Sequence, residues 1–126
     1  MRKKLVSTDN APKPKGPYSQ AIAYGDFLFV SGQAPIDPKT QQVSGETIEE
    51  QATVVLTNLK AIIEEAGFSM KNTLKVTVFL ANMGDFTRFN EVYKRFFPMD
   101  PPARTCVQAG LPLNNMKCEV DMILGK

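Results

Sequence analysis

The chain contains no histidine. Every histidine-based mechanism is excluded from the start, the serine–histidine pair included. Cysteine is scarce as well: Cys106 and Cys118 fall inside expected strands and lack metal-ligand spacing. Such usage fits a cytosolic chain with both thiols reduced. No segment approaches the roughly 20 apolar residues of a membrane span, and the N-terminus lacks the apolar core of a signal peptide. No membrane association is expected. A Gly-rich phosphate loop with its lysine and a dinucleotide fingerprint are both absent. Strong charge is missing too. Fifteen Lys and Arg face 13 Asp and Glu, a net charge of +2 that is too small to imply nucleic acid. The one basic cluster, Arg2-Lys3-Lys4 with Lys13 and Lys15 nearby, reads as a solvated N-terminus.

What remains is an ordinary globular composition over 126 residues, read as one domain spanning 1–126. A chain of this length can bury a core without disulfides or metal. Lys4 to Ser7 reads as an edge strand, and Asn10 to Pro17 as an ordered loop, because its prolines deny ladder hydrogen bonds. Tyr18 to Tyr24 and Asp26 to Gly32 read as a hairpin turning at Gly25-Asp26. Within it, the run Phe27-Leu28-Phe29-Val30 predicts a strand buried on both faces. Gln33 to Gly45 is expected to be loop.

Ile48, Ala52, Val55, Leu59, Ile62 and Ala66 recur at helical steps, behind a Thr47–Glu50 capping box and before the stop at Gly67. Glu49, Asn58, Lys60 and Glu64 are assigned to the polar face of that helix. Alternation over Thr73 to Ala81 predicts a strand with one strongly apolar face. A second helix is expected over Asp85 to Phe97, capped by Asn82 or Asp85, with Phe86, Phe89, Tyr93 and Phe96 as its aromatic stripe and Pro98 as its limit. Strands near Ala103 to Gln108 and Lys117 to Leu124 complete the order β-β-β-α-β-α-β-β. This is an α+β layout whose helices cover one face of a mixed sheet. The other face needs a cover, and assembly sheet to sheet in a closed ring would supply it.

Two of these strands carry charge where a buried sheet prefers none: Pro102-Ala103-Arg104-Thr105-Cys106 and Lys117-Cys118-Glu119-Val120-Asp121. Period-two alternation puts Arg104, Cys106 and Gln108 on one face of their strand, and Glu119 with Asp121 on one face of the other. Parity permits Arg104 and Glu119 on a common side. A guanidinium fork matches a carboxylate, and a carboxylate can orient a water or accept its proton. The competing reading pairs Arg104 with Glu119 or Asp121 inside the protein. Cys106 is either a nucleophile activated by Arg104 or a pocket wall. Gly32, after Ser31 at a strand end, either lets backbone approach a ligand or simply turns the chain. Tyr18 and Asn90 are further candidates for pocket walls.

These segments, in order, resemble the reactive intermediate deaminase (Rid, YjgF-like) family over nearly the whole chain. The motifs are Asn10-Ala11-Pro12, Gly16-Pro17-Tyr18-Ser19-Gln20-Ala21, Ser31-Gly32-Gln33 with Pro35, Lys75-Val76-Thr77-Val78-Phe79-Leu80, Phe89-Asn90-Glu91-Val92-Tyr93, Pro102-Ala103-Arg104, Leu111-Pro112 and Glu119. The resemblance implies a chorismate-mutase-like fold (bacillus type). About six strands and two helices would form each subunit of a homotrimer with an inner barrel and clefts between subunits. It also implies cofactor-free hydrolysis of 2-imino acids to 2-keto acids and ammonia, as in the archetypal imine deaminases. Arg104 would then clamp the substrate carboxylate and Glu119 position the water. Tyr18, Ser31, Gly32, Asn90 and Cys106 would line the pocket, Gly32 and Cys106 partly through backbone groups. Cys118, Asp121 and Asn114-Asn115 depart from the common pattern but remove no proposed catalytic side chain. Two alternatives stand beside imine hydrolysis: an endoribonuclease or translation inhibitor, a role of some relatives, and a non-catalytic module whose intersubunit clefts hold keto acids or fatty-acid-like ligands.

Overall fold

A computed structural model describes every residue from Met1 to Lys126. Its strands are β1 (Lys4–Val6), β2 (Ala21–Tyr24), β3 (Phe27–Gln33), β4 (Thr73–Leu80), β5 (Ala103–Gln108) and β6 (Cys118–Gly125); its α-helices are α1 (Ile48–Glu65) and α2 (Phe86–Phe96). They follow the expected order. The strands form one open, mixed sheet in the order β1-β2-β3-β6-β4-β5. Only the edge pair β4–β5 is parallel, with α2 as its crossover. Strand β6 returns antiparallel between β3 and β4, so α1 likewise bridges two parallel strands.

Local chemistry accounts for these elements. The β2–β3 hairpin turns through Gly25, which adopts φ +59° between the paired Tyr24 and Phe27. Helix α1 starts on the expected capping box: Thr47 accepts from the Glu50 amide at 3.1 Å, and Glu50 Oε1 accepts from the Thr47 amide at 3.1 Å. Gly67 follows its last turn at φ +82°. Before α2, Asn82 caps a short 3-10 turn by accepting from the Gly84 amide.

The core lies between the sheet and the two helices. Val76, Val78 and Leu80 of β4 and Cys118, Val120, Met122 and Leu124 of β6 meet Ala52, Val55, Leu56, Leu59 and Ile62 of α1 and Phe89 of α2, all essentially buried. Asn58 corrects its assignment to the polar face of α1. It is buried and donates to the Ile36 carbonyl at 2.8 Å, satisfying a carbonyl in a loop that packs on the helix.

The opposite face is bare. Phe27 and Phe29 are 46% and 45% exposed, so β3 is buried on one side only, contrary to the expectation from its apolar run. Leu74 and Ile123 extend this apolar patch. Lys75, Thr77, Thr105 and Asp121 make a polar stripe across the middle, with Lys75 Nζ donating to Thr105 Oγ1 at 2.8 Å.

The β3–β6 ladder has one irregularity. Val30 pairs with Met122 and Gln33 with Val120, so Ser31 and Gly32 together face Asp121 alone. This bulge shifts the alternation of side chains by one residue. Gln33 turns into the core side, 4% exposed, and Gly32 comes to lie beside Glu119.

Candidate active site

Strand β5 has a neighbour on one side only. Its parallel register sets Arg104 beside Val76 and Cys106 beside Val78, which places both side chains on the helix-covered face at an open edge. Helix α2 supplies the rest. Phe86, Asn90 and Tyr93 stand at helical spacing on one of its faces. Arg104 Nη1 donates to Asn90 Oδ1 at 2.8 Å, and the guanidinium carbon lies 4.7 Å from the Tyr93 ring centroid and 5.6 Å from that of Phe86. The Tyr93 hydroxyl is buried without a partner, and burial pushes it up to about 12 against the opposing pull of Arg104. No carboxylate reaches Arg104: the chain's ion pairs are Arg88–Glu49 and Lys94–Glu91. The internal pair with Glu119 or Asp121 is therefore absent, and the cation is held by an amide and an aromatic platform. Its fork remains available to an outside carboxylate.

Cys106 is half-buried beside this cation. Burial pushes its thiol up, and Arg104 offsets that only in part. Both the half-buried position and the raised thiol favour the pocket-wall reading of Cys106 over an activated thiolate. Cys118 is fully buried, its thiol pushed up to about 12 by burial and then by Asp85 and Glu119.

The second group of candidates lies across the sheet, at the bulge. A cavity of about 260 Å³ is bounded by Tyr18, Gly32, Glu119, Lys15, Pro112 and Leu113 among others. A Cβ placed on Gly32 would overlap the Glu119 carboxylate, with Glu119 Cδ only 3.0 Å away. Glycine is thus required here for close approach, and the plain-turn reading fails. Ser31 supports the rim: its hydroxyl donates to the Ser19 carbonyl at 2.6 Å, and its amide to the Gln20 carbonyl at 2.9 Å. Tyr18 is half exposed, and its hydroxyl accepts from the Lys15 amide at 3.3 Å. Burial raises the Glu119 carboxyl above its ordinary value, and the neighbouring Asp121 raises it further. Such a group holds a proton closer to neutrality than a surface carboxylate does, as suits a general base.

The common side that parity left open for Arg104 and Glu119 is not realised within one chain. Arg104 is in register with Val76 of the core, whereas Glu119 is in register with Phe79 on the bare face. The structure thus gathers Arg104, Asn90 and Cys106 at one edge, and Tyr18, Ser31, Gly32 and Glu119 on the other surface. One half holds a cation and the other a tuned carboxylate.

Several contributors escaped the sequence reading. Phe86 and Tyr93 read only as part of an aromatic stripe, although their spacing around Asn90 is visible in the sequence. Gln20 is buried and ties the loop that walls the cavity, accepting from the Thr8 amide at 2.7 Å and donating to the Pro12 carbonyl at 2.9 Å. Gln51 does the same before β6: its amide donates to the Asn115 carbonyl, and its carbonyl accepts from the Lys117 amide, both at 2.7 Å. Lys13 and Lys15 line the cavity rather than a merely solvated terminus.

Known proteins match this chain end to end. A family model described as Endoribonuclease L-PSP matches residues 8–124. A RutC family protein of Pyrococcus horikoshii is 47% identical over 124 residues, which is 98% of each chain. TdcF of Escherichia coli, whose name provisionally calls it a reactive intermediate deaminase, is 39% identical over 96% of this chain and 95% of its own. The solved structure of TdcF with bound serine superposes with a TM-score of 0.92, covering 98% of each chain at 37% identity. A Thermotoga maritima structure, provisionally titled an endoribonuclease, reaches 0.95 at 49% identity and covers 100% of this chain and 98% of its own. Full-length similarity at this level, on the same six-stranded frame, makes the chain a member of the Endoribonuclease L-PSP family, the RutC and YjgF proteins that are also called Rid.

Proposed function

We propose that the protein hydrolyses 2-imino acids, such as 2-iminobutanoate and 2-iminopropanoate, to 2-keto acids and ammonia. The reaction would take place in clefts between the subunits of a cytosolic homotrimer. The observation that carries this reading is the pair of unfinished half-sites. Arg104 is oriented and without an ion-pair partner at an open sheet edge, and Glu119 is raised and walled by a cavity on the bare face. A ring that buries Phe27, Phe29, Leu74 and Ile123 would bring the β5 edge of one subunit over the cavity of the next. The name of TdcF and the serine in its solved structure agree with a small amino-acid-derived ligand.

The chemistry then needs no protein nucleophile. Arg104 holds the substrate carboxylate as Asn90 fixes its fork. Tyr18, Ser31, Gly32 and Cys106 line the pocket, with Gly32 and Cys106 also offering backbone groups. Glu119 takes a proton from water as its oxygen adds to the C=N carbon and the nitrogen gains a proton. The carbinolamine so formed collapses to the C=O product and expels ammonia. Orientation and a poised water supply the acceleration. An endoribonuclease, as the family description has it, would need a basic groove, and the net charge of +2 and the absence of histidine favour it less.

The test is to generate 2-iminopropanoate in situ and follow keto-acid release. We expect clear acceleration, a loss of about 10²–10⁴ in kcat for Glu119→Gln, and a fall of roughly 10–10²-fold in kcat/KM for Arg104→Ala. No acceleration by the pure protein, or full turnover by Arg104→Ala, refutes the activity or the clamp respectively.

A further inference from the structure

The cavity beside Glu119 carries more positive charge than a monocarboxylate substrate can use. Lys13 and Lys15 both line it, and Glu119 is the only acidic residue that does. With Arg104 assigned to the substrate's own carboxylate, neither lysine has a role in the reaction proposed above. Neither forms an ion pair.

Their placement is built, not incidental. Lys15 Nζ donates to the Gln41 carbonyl at 3.1 Å, the Lys15 amide donates to the Tyr18 hydroxyl, and the Lys13 amide donates to Gln41 Oε1 at 3.1 Å. Gln41 is itself fixed. It sits at φ +60°, its amide donates to the Asp37 carbonyl at 2.8 Å, and Nε2 donates to the Pro38 carbonyl at 2.6 Å. The loop carrying both lysines is thereby tied to the loop whose Ile36 lines the cavity. An ammonium has three donors, and Gln41 engages one from Lys15. Two remain for a ligand. Ile36, Pro112 and Leu113 add apolar wall that suits a short methylene chain.

We propose, on the basis of the composite cleft above, that the protein acts on 2-imino dicarboxylates, such as iminosuccinate and 2-iminoglutarate. Lys15 binds the carboxylate at the far end of the carbon chain, and Lys13 strengthens the local field. Hydrolysis runs as before: water adds to C=N, ammonia leaves, and a 2-keto dicarboxylate is released. The second carboxylate is untouched, so the atoms balance with water as the only co-reactant.

Binding tests this apart from catalysis. Titrate 2-oxoglutarate and 2-oxobutanoate by calorimetry into the wild type, Lys15→Met, Lys15→Arg and Lys13→Met. In the wild type 2-oxoglutarate should bind at least about tenfold more tightly, the worth of one bond to a charged group. Lys15→Met should remove most of that preference and Lys15→Arg keep it, which separates charge from loop packing. Both lysines are exposed, and thermal melts confirm that the variants fold. Equal affinity for the two acids, binding of neither, or a preference that survives both methionine variants overturns the inference. Imine turnover measured in parallel distinguishes the two claims. A dicarboxylate preference in binding without turnover of any imine keeps the Lys15 carboxylate site and overturns hydrolysis, both here and in the function proposed above.

Discussion

If Arg104 and Glu119 act from different subunits, two dead enzymes should make a live one. Arg104→Ala alone lacks every clamp, and Glu119→Gln alone lacks every base. In a mixed ring, a cleft works when an intact Arg104 from a Glu119→Gln chain faces an intact Glu119 from an Arg104→Ala chain. After equal mixing, unfolding and refolding, each condition holds in half the positions, so about one quarter of the clefts are complete. The mixture should regain about a quarter of wild-type kcat/KM, against an Arg104→Ala parent reduced roughly 10–10²-fold and a Glu119→Gln parent reduced about 10²–10⁴-fold. The assay is keto-acid release before and after co-refolding, with mass spectrometry to show that mixed rings formed. A site confined to one chain gives no recovery at any ratio. Confirmed mixed rings that stay inactive would refute the shared cleft, and with it the sheet-face assignment of the two residues.

Gly32→Ala should act like a loss of Glu119 without unfolding the protein. The added methyl displaces the carboxylate, and a misplacement of about 1 Å costs roughly 10²-fold in rate; kcat and a thermal melt check it. Because burial raises Glu119 in the folded state, its ionisation opposes folding, so stability is lost as pH rises through the folded value. Glu119→Gln should therefore be more stable than wild type at neutral pH, and the gain should vanish below the ordinary value of 4.5, as denaturant midpoints at the two pH values will show. Native Cys106 should alkylate more slowly than a free cysteine at neutral pH, and Cys118 only on unfolding, a contrast that peptide mass spectrometry resolves. Thr47→Ala removes the α1 cap and should cost about 1 kcal/mol in urea unfolding, with activity retained.

The fold was legible wherever one physical signal acted alone. Helix α1 declares itself through a capping box, a stripe of apolar residues and Gly67, and β4 through alternation from Val76 onward. Leu74, which alternation would put beside Val76, is exposed on the other face because the ladder with β6 shifts register between Thr73 and Lys75. Reading failed where tertiary context outvoted local pattern. Residue type puts Asn58 on the polar face, although it stands three residues from Val55 and four from Ile62 on the flank of the apolar stripe, and a loop carbonyl takes its amide there. Phe27 and Phe29 look like core and face outward, because an apolar run does not say whether one or both faces of its strand are packed by helices. The candidate site residues are legible in the sequence, but their distribution over two surfaces is not. Strand parity gives relative facing within a strand. The facing between strands depends on the register of β4 with β5 and of β4 with β6, which no short motif encodes.

The extra residue in β3 has a consequence for how this chain can change. Deleting one position between Val30 and Gln33 would restore an unbroken ladder with β6 and could even strengthen the sheet. If the residue deleted is Gly32, Gln33 keeps its place opposite Val120 on the core side, but Glu119 loses the gap that Gly32 leaves open. A more regular protein lies one codon away, and on the proposed reading it would be inactive. Insertions and deletions in this four-residue stretch should therefore be purged by selection on turnover, long before any effect on folding is felt.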